Sequence, residues 1–251
     1  MILEKVVMVI QARMESTRLP GKSMMKLAGK PLVGRILERV KRCKKVDEIV
    51  LAVPDNENNI CLRDLANDYN VKYFLGSESN LVNRYYKAAF SLNANVVVRL
   101  PADNPVPEPD EIDRIIEYHC NLDKRGFTSN LAQINNSGYP DGIGAEVFDF
   151  SLLSEINYKK KTLIQMEHLH LNFFNYENNE VVDSKWCPIN TIKCPLEFRR
   201  PDIILDVNTL DQYKFMSDLY EDLYLKNPNF NIIDIIDWYD NKKKWNNIIV
   251  L

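Results

Sequence analysis

The 251-residue sequence predicts an α/β protein: a mostly parallel sheet with helices on both faces, in a Rossmann-like domain spanning 1–251 with a small inserted arm at about 176–200. Three observations carry this expectation. Short β-branched runs alternate with segments whose apolar residues recur at helical spacing, the βαβα succession of a parallel sheet. The first run, residues 6–10, is continuously apolar, as a buried strand is. No repeat or low-complexity linker divides the chain.

The elements follow in order. Residues 6–10 are the first strand. Residues 31–40 are the first helix, opened by Pro31 at its first position. Residues 48–53 form a strand, and 58–69 form a helix through Ile60, Leu62, Leu65, Ala66 and Tyr69. A third strand covers 71–75. Residues 80–91 are a helix with Leu81, Val82, Tyr85, Tyr86 and Ala89 on one face. A fourth strand covers 96–100, and the helix at 108–120 carries Ile112, Ile115 and Ile116. Turn signals dominate 126–150, with Gly138-Tyr139-Pro140-Asp141-Gly142 and then Gly144. Residues 151–158 and 162–175 read as helices, and 176–200 as turns and short strands. A late strand at 203–207 precedes helices at about 209–226 and 231–240.

Composition narrows the function classes. Hydrophobic residues at 45% and charged residues at 27% are ordinary for a soluble globular protein. No apolar run approaches the roughly 20 residues that span a bilayer, so no membrane partner is expected. Five widely spaced cysteines without a CxxC pair, and no secretory pattern, predict a cytoplasmic protein with reduced thiols. Charge is uneven: residues 1–45 hold twelve Lys and Arg against three Asp and Glu, in a chain of net charge −3. A compact anionic ligand near the N-terminal loop fits that distribution. No basic stripe with interleaved aromatics speaks for nucleic acid.

Residues 10–22, Ile-Gln-Ala-Arg-Met-Glu-Ser-Thr-Arg-Leu-Pro-Gly-Lys, say most about chemistry. They form the loop at the carboxyl end of the first strand, where open α/β sheets bind ligands. Arg13, Arg18 and Lys22, with the Ser16 and Thr17 hydroxyls among them, suit a polyphosphate. Pro20-Gly21 fixes the chain before Lys22 and lets backbone approach a ligand. The loop is neither a Walker loop nor GxGxxG. Such a loop is also compatible with plain solvated surface.

A polyphosphate brings Mg²⁺, which takes one or two carboxylates plus phosphate oxygens and water. Asp103 and Asp206 each follow a predicted strand and would face the same crevice if those strands are parallel neighbours. Judged alone, Asp103 could open a turn with Asn104-Pro105, and Asp206 with Thr209 could cap a helix. Two strand-end aspartates beside a cationic loop favour the metal. Glu167 and His168 lie on an apolar helix beside His170, where packing is the commoner role. Asp141 and Glu146 flank glycines, in a substrate loop or a turn. Arg84 sits on a helix, where a surface role is equally open.

The stretch 10–22 resembles the opening motif of the CMP-sugar-acid synthetases, including 3-deoxy-manno-octulosonate and N-acylneuraminate cytidylyltransferases. Within that superfamily the chain is most similar to the spore coat polysaccharide biosynthesis protein F group. The later matches are Gly29-Lys30-Pro31-Leu32, Asp47-Glu48-Ile49-Val50, Arg84-Tyr85-Tyr86-Lys87-Ala88-Ala89, Ala102-Asp103-Asn104-Pro105, Tyr139-Pro140-Asp141-Gly142, Glu167-His168, Asp206-Val207-Asn208-Thr209 and Lys226-Asn227-Pro228-Asn229-Phe230. The resemblance implies a GT-A-like nucleotidyltransferase fold and a homodimer. It implies transfer of CMP from CTP to a sugar-acid hydroxyl or related acceptor, with loss of pyrophosphate, for surface polysaccharide synthesis. Carried over, Gln11 and Ala12 would line the cytosine. Arg13, Ser16, Arg18 and Lys22 would hold the triphosphate, with Arg99 on the same nucleotide side. Asp103 and Asp206 would bind Mg²⁺. Arg18, Lys22 and Asp103 would carry catalysis. Asn104, Tyr139, Asp141, Glu146, Glu167 and His168 would face the acceptor.

Three positions depart from the group's pattern. Asn83 stands where an aspartate is usual, Gly144 where an acid is usual, and Met166 where an arginine is usual. A glycosyltransferase of the same fold, using an intact nucleotide-sugar, is the alternative. It would favour a DxD pair after the fourth strand, where this chain has Asp103-Asn104-Pro105.

Overall fold

A computed structural model describes residues 4–131 and 134–249. Strand β1 (Val6–Gln11) lies in the middle of the sheet, buried on both faces. A small hairpin of β2 (Lys26–Leu27) and β3 (Lys30–Pro31) follows the cationic loop. It leads into α1 (Leu32–Val40), which buries Leu32, Val33, Ile36, Leu37 and Val40. Pro31 is the cap residue before this helix rather than its first helical residue. Its extended backbone closes the hairpin, so helical geometry begins one residue later.

Next come β4 (Glu48–Pro54), α2 (Ile60–Asp68), β5 (Lys72–Gly76), α3 (Leu81–Ser91), β6 (Val96–Pro101) and α4 (Pro109–Cys120). The expected alternation is present through this half. Residues 126–150, expected as turns, contain two strands, β7 (Phe127–Ser129) and β8 (Glu146–Asp149). Then follow α5 (Phe150–Tyr158), α6 (Leu163–Glu167), β9 (Phe174–Asn175), β10 (Glu180–Val181), β11 (Ile189–Asn190), α7 (Leu210–Tyr224) and α8 (Ile232–Ile249). The helix expected over 162–175 stops at Glu167 and gives way to a 3₁₀ turn and β9.

The main sheet runs β11-β7-β8-β6-β1-β4-β5. β1 pairs in parallel with β4 and β6, whereas β8 is antiparallel to β6 and β7. Side chains alternate across β1: Met8 and Ile10 face the core under α1, α4, α7 and α8, while Val7 and Val9 face the core under α3 and α5. Each such side chain stabilises the fold by about 1.5–3 kcal/mol when fully buried.

The arm expected at 176–200 is less separate than the sequence suggests. β9 and β10 form a two-stranded hairpin, and β11 returns to the edge of the main sheet. The late strand expected at 203–207 is not a sheet strand. It makes one isolated parallel bridge, Ile204 to Asp141, and runs over the carboxyl end of the sheet. Among the described residues no helix is long and apolar enough to cross a membrane.

Candidate active site

The parallel pairing of β1 with β6 places the loop after Gln11 beside the loop after Pro101. Both open on a cleft of about 360 Å³ at the carboxyl ends of these strands. Five cations line it: Arg13, Arg18, Lys22, Arg84 and Arg99. A wider groove of about 680 Å³ lies by the amino ends of β4 and β5, where Lys41 and Lys72 meet Asp47 and Glu48. It gathers no comparable excess of cations, and it lies at the wrong end of the strands for this kind of sheet.

The loop's shape follows from its own hydrogen bonds. Gly21 adopts φ +72°, a left-handed conformation that suits glycine, and its N–H donates to Met14 O at 2.9 Å. Ser23 is buried and its Oγ donates to Arg13 O at 2.9 Å. Ser16 Oγ accepts from Leu19 N–H at 3.3 Å. Held this way, Lys22 Nζ donates to Val207 O at 2.7 Å and Asn208 Oδ1 at 3.2 Å, and lies 3.4 Å from Asp103 Oδ2. Arg18 Nη2 donates to the same Asn208 Oδ1 at 2.8 Å.

Asp206 reaches the site without a sheet strand beneath it. Val207 N–H donates to Asp103 O at 2.8 Å and pins the late segment to the loop after β6. Thr209 and Gln212 form a capping box on α7, so helix capping does not consume Asp206. Asp206 instead accepts from Asn208 Nδ2 and, at 3.1 Å, from Gln212 Nε2. Burial, and then the neighbouring Asp141 and Asp103, push its carboxyl above the usual range, and Asn208 and Lys22 offset this only in part. Three carboxylates therefore lie near one another beside the cleft, and of the three Asp103 lines it.

The far end of the cleft is built differently. Arg99 on β6 pairs with Glu146 on β8 at 2.6 Å, and both are buried. Tyr176 OH donates to the other Glu146 oxygen at 2.9 Å. Glu146 lines the cleft, yet both its oxygens are taken, so it holds Arg99 rather than facing an acceptor. His170 packs against Tyr176 with ring centroids 5.2 Å apart. Burial, with Arg99 and His168 adding to it, pushes His170 down to about 3, so its imidazole is neutral. Glu167 meets Arg13 at 3.4 Å across the cleft mouth, next to His168.

Three expected acceptor residues, Asn104, Tyr139 and Asp141, do not line the cleft. Asn104 is buried behind the loop after β6 and does not line it. Tyr139 is wholly buried, with its OH donating to Glu111 Oε2 at 2.5 Å beside Arg114. It anchors the turn that carries Asp141.

Arg84 is only 3% exposed, which overturns a surface role. It donates to Ser77 O at 2.7 Å, and burial, with Arg13 adding to it, pushes its guanidinium down to about 10. Among the described residues, Gln11 Oε1 and Arg84 Nε are buried and make no hydrogen bond. Asn208, His170 and Tyr176 are lining residues that the sequence did not single out. Only the strand-end position of Asp206 hinted at Asn208. The glycine at 144 also finds its reason: a Cβ there would lie 2.4 Å from Asn130 Oδ1, the atom that accepts Ala145 N–H.

A mostly parallel α/β sheet carrying a cation loop and a strand-end carboxylate over one cleft defines a nucleotidyltransferase. Residues 7–227 match the model of the cytidylyltransferase family, and the chain belongs to that family. It is 29% identical over 224 residues to the spore coat polysaccharide biosynthesis protein SpsF of Bacillus subtilis, covering 87% of this chain and 88% of that one. It is 38% identical over 114 residues to the 3-deoxy-manno-octulosonate cytidylyltransferase of Chloroherpeton thalassium, 45% of each chain. The fold matches that of a cytidylyltransferase from Leptospira borgpetersenii with a TM-score of 0.85 at 24% identity, over 96% of both chains. Family membership favours nucleotidyl transfer over the glycosyltransferase alternative.

Proposed function

We propose that this cytidylyltransferase is Mg²⁺-dependent and transfers CMP from CTP to a hydroxyl of an anionic, sugar-acid-type acceptor. One observation carries this: Arg18, Lys22, Asp103 and Asp206 meet in a single hydrogen-bonded cluster around Asn208. Gln11 and Ala12 line the cytosine, and Arg13, Ser16, Arg18 and Lys22 hold the triphosphate. Asp103 and Asp206 hold the metal. Their hard oxygen donors, crowded by Asp141, suit a divalent cation. Bound Mg²⁺ would neutralise phosphate charge and polarise the reacting phosphoryl group.

The protein's own part is positioning and electrostatics. The acceptor hydroxyl forms a bond to the α-phosphorus, the bond to pyrophosphate breaks, and the hydroxyl proton is released. Arg18 and Lys22 meet the charge that builds on the departing pyrophosphate, and their fixed placement avoids reorganisation during the step. Arg84 gives the other end of the cleft its preference for an anionic acceptor, whereas Arg99, expected on the nucleotide side, is held there in its buried pair with Glu146. Neutral His170 serves there as a hydrogen-bonding wall rather than an acid.

The test is pyrophosphate release with Mg²⁺, each nucleoside triphosphate and a panel of sugar acids and neutral sugars. Release that requires CTP and a carboxylated acceptor supports the assignment. Turnover with UTP alone, or with neutral sugars alone, contradicts it. We further assign a cytoplasmic homodimer. Exposed Phe90, Tyr158, Leu163 and Ile164 give it an apolar face, and sedimentation at the mass of one chain would exclude it.

A further inference from the structure

A polyphosphate loop has a puzzling member in Glu15, which stands between Arg13 and Arg18. A carboxylate there should repel the phosphates the loop is built to hold. The structure turns it away from the cleft and into the segment after β4. Asn59 Nδ2 donates to Glu15 Oε2 at 3.2 Å and reaches Oε1 at 3.5 Å. The same Asn59 accepts Met14 N–H on its Oδ1 at 2.9 Å. One amide therefore grips the loop twice, at a backbone donor and at the next side chain.

Asn59 is an unlikely residue to be idle. It is 1% exposed in an otherwise polar segment. It occupies the N-cap position of α2, where asparagine ordinarily accepts a backbone N–H of the first turn, worth about 1 kcal/mol. Its side chain makes no such bond and reaches 45 residues back to the loop instead. Asn56 supports it, accepting from Asn59 Nδ2 at 2.5 Å and donating to Glu78 at 3.1 Å. Burial works against the charged form of Glu15. Hydrogen bonds from Asn58, the Glu15 backbone, Asn59 and Asn56 outweigh it and hold the carboxyl below its usual range.

We propose that Asn59 and Glu15 form a positioning clamp that sets the phosphate loop, so that Arg13 and Arg18 face the cleft before substrate arrives. The proposal rests on the assignment of this loop to the triphosphate. Neither residue touches the reacting atoms. Both act through the geometry of the loop, whose misplacement by an ångström is enough to cost an enzyme heavily.

The experiment is titration of the full chain with Mg²⁺ and CTP by calorimetry, with melting temperatures recorded in parallel. If Glu15 is merely an acid near phosphates, Glu15→Ala removes repulsion and tightens CTP. If it is half of a clamp, Glu15→Ala weakens CTP about threefold to tenfold. Asn59→Asp keeps the acceptor for Met14 N–H but sets two carboxylates face to face, and weakens CTP by about tenfold or more. Adding Glu15→Gln to Asn59→Asp restores the donor–acceptor pair across the clamp, though not the donation to Asn56, and recovers at least about threefold of the lost affinity. Tighter binding by Glu15→Ala, or no rescue in the double variant, overturns the clamp. A wild type that binds CTP without depending on Arg18 or Lys22 overturns the loop assignment itself, which is a separate result.

Discussion

The two ends of the cleft are held by different physics. At the end proposed for the nucleotide, Arg18 and Lys22 share Asn208, and Lys22 also meets the Val207 carbonyl and Asp103 at 3.4 Å, partly open to solvent. These contacts are exchangeable, and incoming phosphates can replace them. At the end proposed for the acceptor, Arg99 and Glu146 form a buried pair at 2.6 Å, locked by Tyr176. Removing one partner there leaves an uncompensated buried charge. Mutations at the first end should therefore strike function and spare the fold, and mutations at the second should strike the fold.

Glu146→Gln is the sharpest test of that contrast. It strands Arg99 and should cost about 3–5 kcal/mol of stability, lowering the melting temperature by at least roughly 6 °C. The protein that remains folded should still bind CTP normally. A variant that melts like wild type would break the contrast.

Lys22→Ala and Asp103→Asn come next. Each should lower turnover by about 10²–10³-fold, or about 2.7–4 kcal/mol in the barrier, with melting little changed. Steady-state rates with pyrophosphate detection decide this, and full activity in both would refute the site.

Asp206 gives a smaller, oppositely signed effect. Its carboxyl is raised by burial and by Asp141 and Asp103, so the folded apo protein binds this proton more tightly than the unfolded chain does. This group's contribution to stability therefore falls as pH rises through its raised value, and at neutral pH its charge is a burden. Asp206→Asn should raise the apo melting temperature by roughly 1–3 °C while abolishing the stabilisation given by Mg²⁺ with CTP. Destabilisation of the apo protein would show that Asp206 is structural.

The smallest effect is on pH dependence. Binding of Mg²⁺ and CTP should weaken on acidification sooner than an ordinary aspartate would cause, because Asp206 protonates above the usual range. His170, held neutral by burial, should contribute no step between pH 5 and 8. Affinity measured across that range in wild type and His170→Gln checks both points.

The sequence announced the nucleotide end far better than the acceptor end. The loop at 10–22 lies on a strand end, and its residue types alone suggest an anion. The βαβα alternation from 6 to 120 follows apolar periodicity, so it was legible too. The strands at 127–129 and 146–149 are short and lie among turn residues; the second forms on the open edge of β6 and the first pairs onto the second. Residues 203–205 and 207 are apolar and mostly β-branched, yet Ile203, Leu205 and Val207 bury in the core and Ile204 stays exposed, instead of joining the sheet's ladder. Arg84 and Glu146 show the same limit at the level of residues. A charged side chain on a helix or beside a glycine reads as surface until the fold closes over it. Tyr139 matched the family's motif, and its hydroxyl was claimed by Glu111, 28 residues away.

The most direct measurement is a thermal-shift panel with Mg²⁺ and CTP, UTP, GTP, ATP and several nucleotide-sugars, on wild type and Asp103→Asn. A ligand that binds only the folded state raises apparent stability by mass action. The cluster around Asn208 predicts that CTP stabilises the wild type selectively and that Asp103→Asn loses the response. Stabilisation by a nucleotide-sugar without CTP, or an unchanged CTP response in the variant, would contradict the assignment of this cleft to cytidylyl transfer.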